Sequence, residues 1–257
     1  MTTIKLLDNK DYNRNELLTK MQDDSFYYGE LNKLALSSSS LKNLLSSPKT
    51  YYYTQKYGSE ETQPLRDGWL FHTAILEPDV FNAQNFVDVQ SKNTKAYKEA
   101  KLELGKVFTI KEKNDAERLA DAFLRNKQAV ELLKNSEFEV PAIGNVQGLP
   151  FRGKADVLGK DRIVDLKTTT DINGFSYSAK KYSYDVQCYI YCNLFGINYK
   201  DFIFLALDKG SLDIGIFECS ESFYYQGEEK VEKAIDLYNK FFVEGADLDN
   251  YCLTGIL

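Results

Sequence analysis

Hydrophobic and polar positions follow helical spacing through the first half of this chain. Four consecutive serines supply hydroxyls that cap a helix running from about residue 37 to Pro48. A second short helix or turn begins at residues 51–53, and apolar residues at i, i+4 and i+7 predict a helix over 65–76 that stops at Pro78. Residues 113–134 are predicted to form one long amphipathic helix with a shared apolar side: Leu119, Phe123, Ala129, Leu132 and Leu133.

Strand spacing then replaces helical spacing, with strands predicted at 138–146, 149–158 and 162–168. Residues 172–197 are predicted to be helical in one or two pieces, strands follow near 202–207 and 213–219, and a helix over 222–243 closes the chain. This order predicts an α/β fold, a mixed sheet flanked by helices. No repeat or linker divides the sequence, so we expect a polar N-terminal arm at 1–36, loosely held, and a single domain at 37–257.

Charged residues interrupt two of the predicted strands. Asp156 lies in the first of them, and Asp165 and Lys167 lie in the second. Side chains alternate faces along a strand, so Asp165 and Lys167 share one face. A tight turn at Gly159-Lys160 pairs residues whose numbers sum to an odd value, which brings Asp156 to that same face. Such charges are costly to bury unless they hold a metal or one another, so the cluster indicates a metal-dependent site that cleaves phosphodiesters.

An acidic residue two positions before a lysine is not rare in this chain. It occurs four times, and three of the occurrences lie in polar or helical stretches where such pairs are solvated. Taken alone, Asp165 and Lys167 fit an edge-strand salt bridge better than a catalytic pair. The apolar flanks and the preceding Asp156 favour the catalytic interpretation.

The composition of the chain limits the surface charge, the cofactors and the cellular location expected for this site. The net charge of −6 lacks the basic character of many nucleic-acid binders, although a local groove can form from lysines near the candidate site: Lys154, Lys160, Lys180 and Lys181. Four cysteines without a CxxC pair imply neither disulfides nor an iron–sulfur cluster. No signal peptide and no apolar run of membrane length is present, so a cytoplasmic location is expected.

With these residues in place, the sequence resembles the PD-(D/E)xK nuclease superfamily. More closely, it is similar to the branch that contains RecE-like (exonuclease VIII), RecB-like and lambda-type exonucleases. Four blocks carry the resemblance, in the expected order: Leu36–Leu41, the G-x-x-x-H-x-x-x-L-E-P segment Gly68–Pro78, the core motif at 153–156 and 164–169, and Gln187 with Tyr191. Ala155 stands where the family often has proline, and Asp165 where many relatives have glutamate. This branch tolerates alanine at the first position and aspartate at the second.

The resemblance implies a restriction-endonuclease-like core and a role for each matching residue. His72, Asp156, Asp165 and the Leu166 carbonyl are expected to hold Mg²⁺ or Mn²⁺, which hard oxygen ligands select. Lys167 is expected to orient or deprotonate the attacking water. Gln187 and Tyr191 are expected beside the scissile phosphate or in orienting Lys167, and Thr168 and Thr169 are expected to steady the strand end or to contact DNA phosphates. Lys180 and Lys181 lie outside the matching blocks and are expected to contribute to a basic groove for DNA. Without the resemblance, His72 fits an ordinary structural histidine, and Gln187 and Tyr191 fit a buried amphipathic face.

We therefore expect a Mg²⁺-dependent exodeoxyribonuclease that acts on double-stranded DNA ends. The resemblance implies 5′ to 3′ digestion in DNA recombination or repair, a single-strand annealing protein as partner, and a ring-shaped homo-oligomer. One alternative is a RecB-like or CRISPR-adaptation-type nuclease acting on single strands. A non-catalytic DNA-binding protein of the same fold is another, although the intact charged cluster argues against it.

Overall fold

The computed structural model describes residues 3–254 of the chain, which form nine strands and eleven α-helices. The strands are β1 Thr3–Lys5, β2 Asp11–Asn13, β3 Phe86–Val87, β4 Phe108–Thr109, β5 Glu137–Val146, β6 Leu149–Leu158, β7 Ile163–Thr169, β8 Phe202–Asp208 and β9 Ile214–Glu218. The helices are α1 Arg14–Lys20, α2 Ser38–Ser46, α3 Pro48–Tyr57, α4 Gln63–Leu76, α5 Pro78–Asn82, α6 Lys95–Leu104, α7 Ile110–Arg125, α8 Lys127–Leu133, α9 Phe175–Lys181, α10 Tyr184–Phe195 and α11 Glu221–Tyr238. None of the helices within this range is both long and apolar enough to cross a membrane.

A five-stranded sheet in the order β5-β6-β7-β8-β9 forms the centre of the fold. Its neighbouring strands are antiparallel except for β7 and β8, which are parallel and are connected through α9 and α10. β5 and β6 are joined by Gln147 and Gly148, whose φ angles of 48° and 87° match the two-residue turn that favours glycine. The predicted mixed sheet flanked by helices is confirmed.

Two hydrophobic clusters cover opposite faces of this sheet. The first joins α2, α10 and α11 to the sheet through residues such as Leu41, Ile190 and Phe204. The second joins α4 and α7 to it through residues such as Phe71 and Phe123. Helices from both faces can therefore deliver side chains to the charged strands between them.

Capping explains where several helices begin. Ser37 and Ser40 form a reciprocal capping box at the start of α2, as the serine run predicts. The predicted single helix over 113–134 is wrong, because the chain breaks at Asn126. Its ψ angle is 110°, and its side chain accepts hydrogen bonds from the backbone amides of Gln128 and Ala129 to begin α8. Residues 172–197 form two helices, separated by Ser183 with a φ of 52°.

The segment before α2, for which a polar arm is predicted, packs against the sheet in its described part. Its buried apolar residues form a cluster with Ile143 of β5: Ile4, Leu6, Leu17, Met21, Tyr27, Leu31 and Ala35. The Arg14 guanidinium donates to the Ile143 carbonyl at 2.9 Å. Widely spaced apolar positions thus anchor a stretch whose composition is polar. Residues 1 and 2 lie outside the described range.

Candidate active site

The site forms where β6 and β7 separate. These strands pair only at Val157–Val164 and Leu158–Ile163, so the predicted odd sum is confirmed, but the turn is centred on Lys160 and Asp161 and not on Gly159 and Lys160. Asp156 lies just beyond the last pair, where its Oδ2 atom accepts a hydrogen bond from the backbone N–H of Leu166 at 2.8 Å. Asp156 thus fills the gap between the strands and holds β7 in place.

Three side chains meet at Asp156 as a candidate metal centre. His72 of α4, Glu139 of β5 and Asp156 each offer a ligand atom, and these atoms all lie within 4.8 Å of one another. The His72 Nδ1 atom is 3.4 Å from Asp156 Oδ2. His72 and Asp156 are predicted ligands that the structure brings together. Glu139 is not among the predicted residues.

Glu139 occupies an irregular point of β5. Its φ angle is 51°, and the regular pairing of β5 with β6 skips Glu139 and Asp156 while the same register continues on both sides. Burial raises the pKa of Glu139 to about 8, and the Asp156 carboxylate adds to the increase. At neutral pH without a metal, Glu139 therefore retains its proton, and a bound cation would favour its charged form.

Asp165 is not one of the three side chains of the candidate metal centre, and two hydrogen-bond donors hold its carboxylate in place. It is 1% exposed, the Lys167 ammonium donates to its Oδ2 atom, and the Gln187 amide of α10 donates to its Oδ1 atom. Burial raises the pKa of Asp165, and the Lys167 charge opposes that increase. Burial lowers the pKa of Lys167, but the Asp165 and Asp156 carboxylates outweigh it and the net shift is upward. Lys167 is accordingly an ammonium at neutral pH, and Gln187 orients it through their shared carboxylate.

Tyr191 lies one helical turn after Gln187 and contacts β6. Its hydroxyl accepts a hydrogen bond from the backbone N–H of Lys154 at 3.4 Å, and its pKa is raised by burial. Tyr191 packs so closely on Gly153 that a Cβ there would lie 2.9 Å from its Cε1 atom. Gly153 and Tyr191 therefore set the distance between α10 and the strand that carries Asp156.

The remaining predicted residues lie further along β7 and α9. Leu166 is fully buried next to Asp165, and its backbone reaches Asp156 as described. Thr168 and Thr169 end β7, where the Thr169 hydroxyl accepts from the Asp171 backbone N–H at 3.2 Å. Lys180 and Lys181 are exposed in the last turn of α9. They are accessible to a ligand but do not contact the carboxylates.

The donor set is suited to a hard divalent cation. Two carboxylates with one imidazole provide oxygen-rich ligation of the kind that Mg²⁺ or Mn²⁺ accepts. Burial and, after it, the nearby Asp156 carboxylate raise the pKa of Glu139, so a bound cation would stabilise the ionised pair. The adjacent ammonium of Lys167 adds a positive group that can neutralise a phosphate.

Comparisons with known proteins show the family of this chain and a similar fold. Residues 37–252 match the family described as "PDDEXK-like domain of unknown function (DUF3799)". A "putative exonuclease" from Eubacterium rectale has a similar structure, with a TM-score of 0.64 and 16% identity over 91% of this chain and 95% of that chain. A phage-related exonuclease from Haemophilus somnus 129PT gives a TM-score of 0.37 and 17% identity over 82% of this chain and 96% of that chain. No curated protein matches the sequence.

Proposed function

This chain belongs to the PDDEXK-like family DUF3799, and we propose on that premise that it is a metal-dependent exodeoxyribonuclease acting on the ends of linear double-stranded DNA. One observation carries the proposal. The Asp165–Lys167 ion pair lies beside Asp156, which shares a potential metal centre with His72 and Glu139. This places a positive side chain and a cation site on adjacent strands, the combination that phosphodiester hydrolysis requires.

The roles of the residues follow from their contacts. When bound, Mg²⁺ or Mn²⁺ supplies a Lewis acid for the phosphoryl oxygen and lowers the pKa of a coordinated water. His72, Glu139 and Asp156 would hold the ion, with Asp165 and the Leu166 carbonyl as further ligands. The Asp165 oxygens accept hydrogen bonds from Lys167 and Gln187, so a metal ligated by Asp165 would share these oxygens and weaken the hold on the Lys167 ammonium.

Lys167 is proposed to turn toward the scissile phosphate. Because the carboxylates keep it protonated, its contribution is a positive charge that offsets the growing negative charge of the transition state. In the metal-free protein it is not a general base. Gln187 would keep Asp165 in place during this movement, and Tyr191 would hold α10 against β6.

The finer features of the function rest on the resemblance of the Gly68–Pro78 segment and the Gln187/Tyr191 pair to RecE-like and RecB-like nucleases. That resemblance supports duplex ends as substrate, 5′ to 3′ digestion and a role in DNA recombination or repair. It also supports a single-strand annealing protein as partner and a ring-shaped homo-oligomer, and we include both in the proposal.

Degradation of labelled DNA tests the proposal directly. Linear duplex with blocked 5′ or 3′ termini, single-stranded DNA and closed circular duplex are incubated with Mg²⁺, Mn²⁺ or EDTA. We expect metal-dependent loss of linear duplex unless its 5′ termini are blocked, and none of the circle. Preference for single strands would instead support a RecB-like nuclease, and binding of DNA without degradation would support a non-catalytic protein.

Two lysine variants distinguish loss of the proposed catalytic lysine from a general loss of positive charge. Lys167→Met should abolish degradation, whereas Lys233→Met, an exposed lysine of α11, should leave it unchanged. Unaltered degradation by Lys167→Met would place the chemistry elsewhere.

Metal binding can be tested apart from activity because His72 is the only histidine. The single imidazole signal in an NMR spectrum should shift on addition of Mg²⁺ and broaden with paramagnetic Mn²⁺. An unaffected signal at saturating metal would remove His72 from the metal centre.

A further inference from the structure

A second lysine stands beside the proposed catalytic lysine without a partner of its own. Lys42 of α2 has its Nζ atom 5.1 Å from the centroid of the Tyr184 ring. The Nζ atom of Lys167 is 5.0 Å from the same centroid. Helix α2 and strand β7, which are far apart in sequence, thus bring two ammonium groups to one aromatic ring at the site.

The carboxylates nearest to Lys42 are already engaged. Asp165 accepts from Lys167 and Gln187, and Asp185 accepts from Lys230 at 2.6 Å. Within residues 3–254, Lys42 itself forms no ion pair and no hydrogen bond through its side chain. The Tyr184 ring offers a cation only a weak attraction.

The electrostatic state of Lys42 reflects this surplus of positive charge. Burial, together with the neighbouring Lys167 charge, lowers the pKa of Lys42 to about 8, although Asp165 and Asp185 oppose the decrease. A half-buried ammonium next to another ammonium is unfavourable unless an anion joins them. DNA phosphate is an anion that the proposed reaction would bring to this place.

We propose that Lys42 binds a backbone phosphate of the DNA strand that is cut, on the α2 side of Lys167. This assignment rests on the proposed nuclease function and adds a substrate-positioning residue to it. Lys42 would hold one phosphate while Lys167 faces the scissile phosphate. The Tyr184 ring between α2 and β7 would keep the two ammonium groups at a fixed separation. A purely structural role for Lys42 is the competing explanation.

Salt dependence of DNA binding distinguishes phosphate contact from structural support. Each phosphate neutralised by a lysine contributes about 0.9 to the slope of log K against log salt for duplex DNA. Binding of a fluorescent duplex is measured with Ca²⁺ in place of Mg²⁺, over a range of salt, for the wild type, Lys42→Met, Lys42→Arg and the exposed control Lys233→Met. Methionine retains the apolar stem of lysine, so packing beside Tyr184 is largely preserved.

We expect Lys42→Met to weaken binding about tenfold at low salt and to reduce the salt slope by about 0.9, with a melting temperature no lower than that of the wild type. Lys42→Arg should restore most of the affinity, and Lys233→Met should match the wild type. An unchanged slope in Lys42→Met, or equal losses in Lys42→Met and Lys233→Met, would overturn the assignment.

The outcome remains informative if the proposed function fails. A wild-type protein that binds DNA but does not degrade it in Mg²⁺ or Mn²⁺ would refute the nuclease proposal, while the salt slopes would still decide the role of Lys42. If the wild type does not bind DNA at all, both proposals are refuted.

Discussion

Gly227 fixes the packing of α11 on α10, and its replacement by alanine tests that packing sensitively. A Cβ at residue 227 would overlap the Asp185 carbonyl oxygen and lie 2.6 Å from its carbonyl carbon and 3.1 Å from Tyr189 Cβ. The overlapping atoms belong to the backbone of α10, so no side-chain rotation relieves the contact. Asp185 precedes Gln187 by two residues in α10. A displacement of α10 at Asp185 would therefore also move Gln187, whose amide donates to Asp165.

Two opposing effects determine the size of the change. Alanine favours a helix over glycine by about 1 kcal/mol. Carbon atoms in contact normally lie about 3.5–4.0 Å apart, so α10 and α11 must separate by roughly 1 Å, and overpacking of this kind costs about 3 kcal/mol. The steric cost exceeds the gain, and Gly227→Ala should destabilise the protein by about 2 kcal/mol, which lowers the melting temperature by about 5 °C.

Thermal and urea unfolding provide the assay, with Gly68→Ala as the matched control. Gly68 also lies inside a helix, but a Cβ there meets no atom within 4 Å. Gly68→Ala should therefore stabilise the protein by about 0.5–1 kcal/mol through helix propensity alone. If Gly227→Ala stabilises the protein to the same extent, the close approach of α10 and α11 is refuted.

Two further predictions concern charged groups. Arg66 of α4 and Glu112 of α7 form a buried ion pair at 2.8 Å, so Arg66→Met should lower the free energy of unfolding by about 3 kcal/mol in urea titrations. Burial raises the pKa of Glu112, but hydrogen bonds from Arg66, the Thr109 backbone and Gln63 outweigh it and lower that pKa to about 2. The stabilisation by Glu112 is therefore complete above its unfolded pKa and is lost as the pH falls toward 2, and this loss should be smaller in Arg66→Met. Glu139, with its pKa raised to about 8, is protonated at pH 7 and must release its proton to bind a metal, so Mn²⁺ affinity should increase from pH 6 to 8. Calorimetry in two buffers should detect this proton, and equal proton release by Glu139→Gln would contradict the assignment.

Local signals predicted much of the fold because they act within a few residues. The serine run predicted the start of α2, and alternation predicted β5, β6 and β7 to within about two residues. The break at Asn126 was missed because apolar spacing continues across it, and a single side-chain cap redirects the chain. Packing of the N-terminal segment on Ile143 depends on contacts between distant residues, which local composition does not reveal.

For His72, the spacing of a sequence motif supplies information that helical periodicity does not. Its place in α4 follows from helical periodicity, but periodicity does not state which strand α4 faces. The Gly68–Pro78 resemblance implied a metal ligand, and the structure brings its imidazole to Asp156. In contrast, no motif pointed to the Lys42–Tyr184 contact, because it joins elements about 140 residues apart and depends on how α2 packs beside α10.

The strand register that predicts the position of Asp156 also predicts the position of Glu139. The two-residue turn at Gln147-Gly148 pairs residues whose numbers sum to 295, as Val140 and Ala155 do, and this register places Glu139 opposite Asp156. Extended one position beyond the Val157–Val164 pair, the register of β6 and β7 would place Asp156 opposite Asp165, although the strands separate there. The two registers thus predict a row of carboxylates at neighbouring positions of β5, β6 and β7.

Carboxylates in neighbouring positions of such a row lie about 5 Å apart, too close for all three to ionise without cations. Lys167 supplies one positive charge, and it engages Asp165 at one end of the row. Glu139 and Asp156 lie together with the His72 imidazole, and Asp156 also accepts a hydrogen bond from the Leu166 backbone N–H. The chain thus neutralises Asp165 with its own lysine and offers the other two carboxylates as candidate metal ligands, and this division follows from where α4 and α10 place His72 and Gln187.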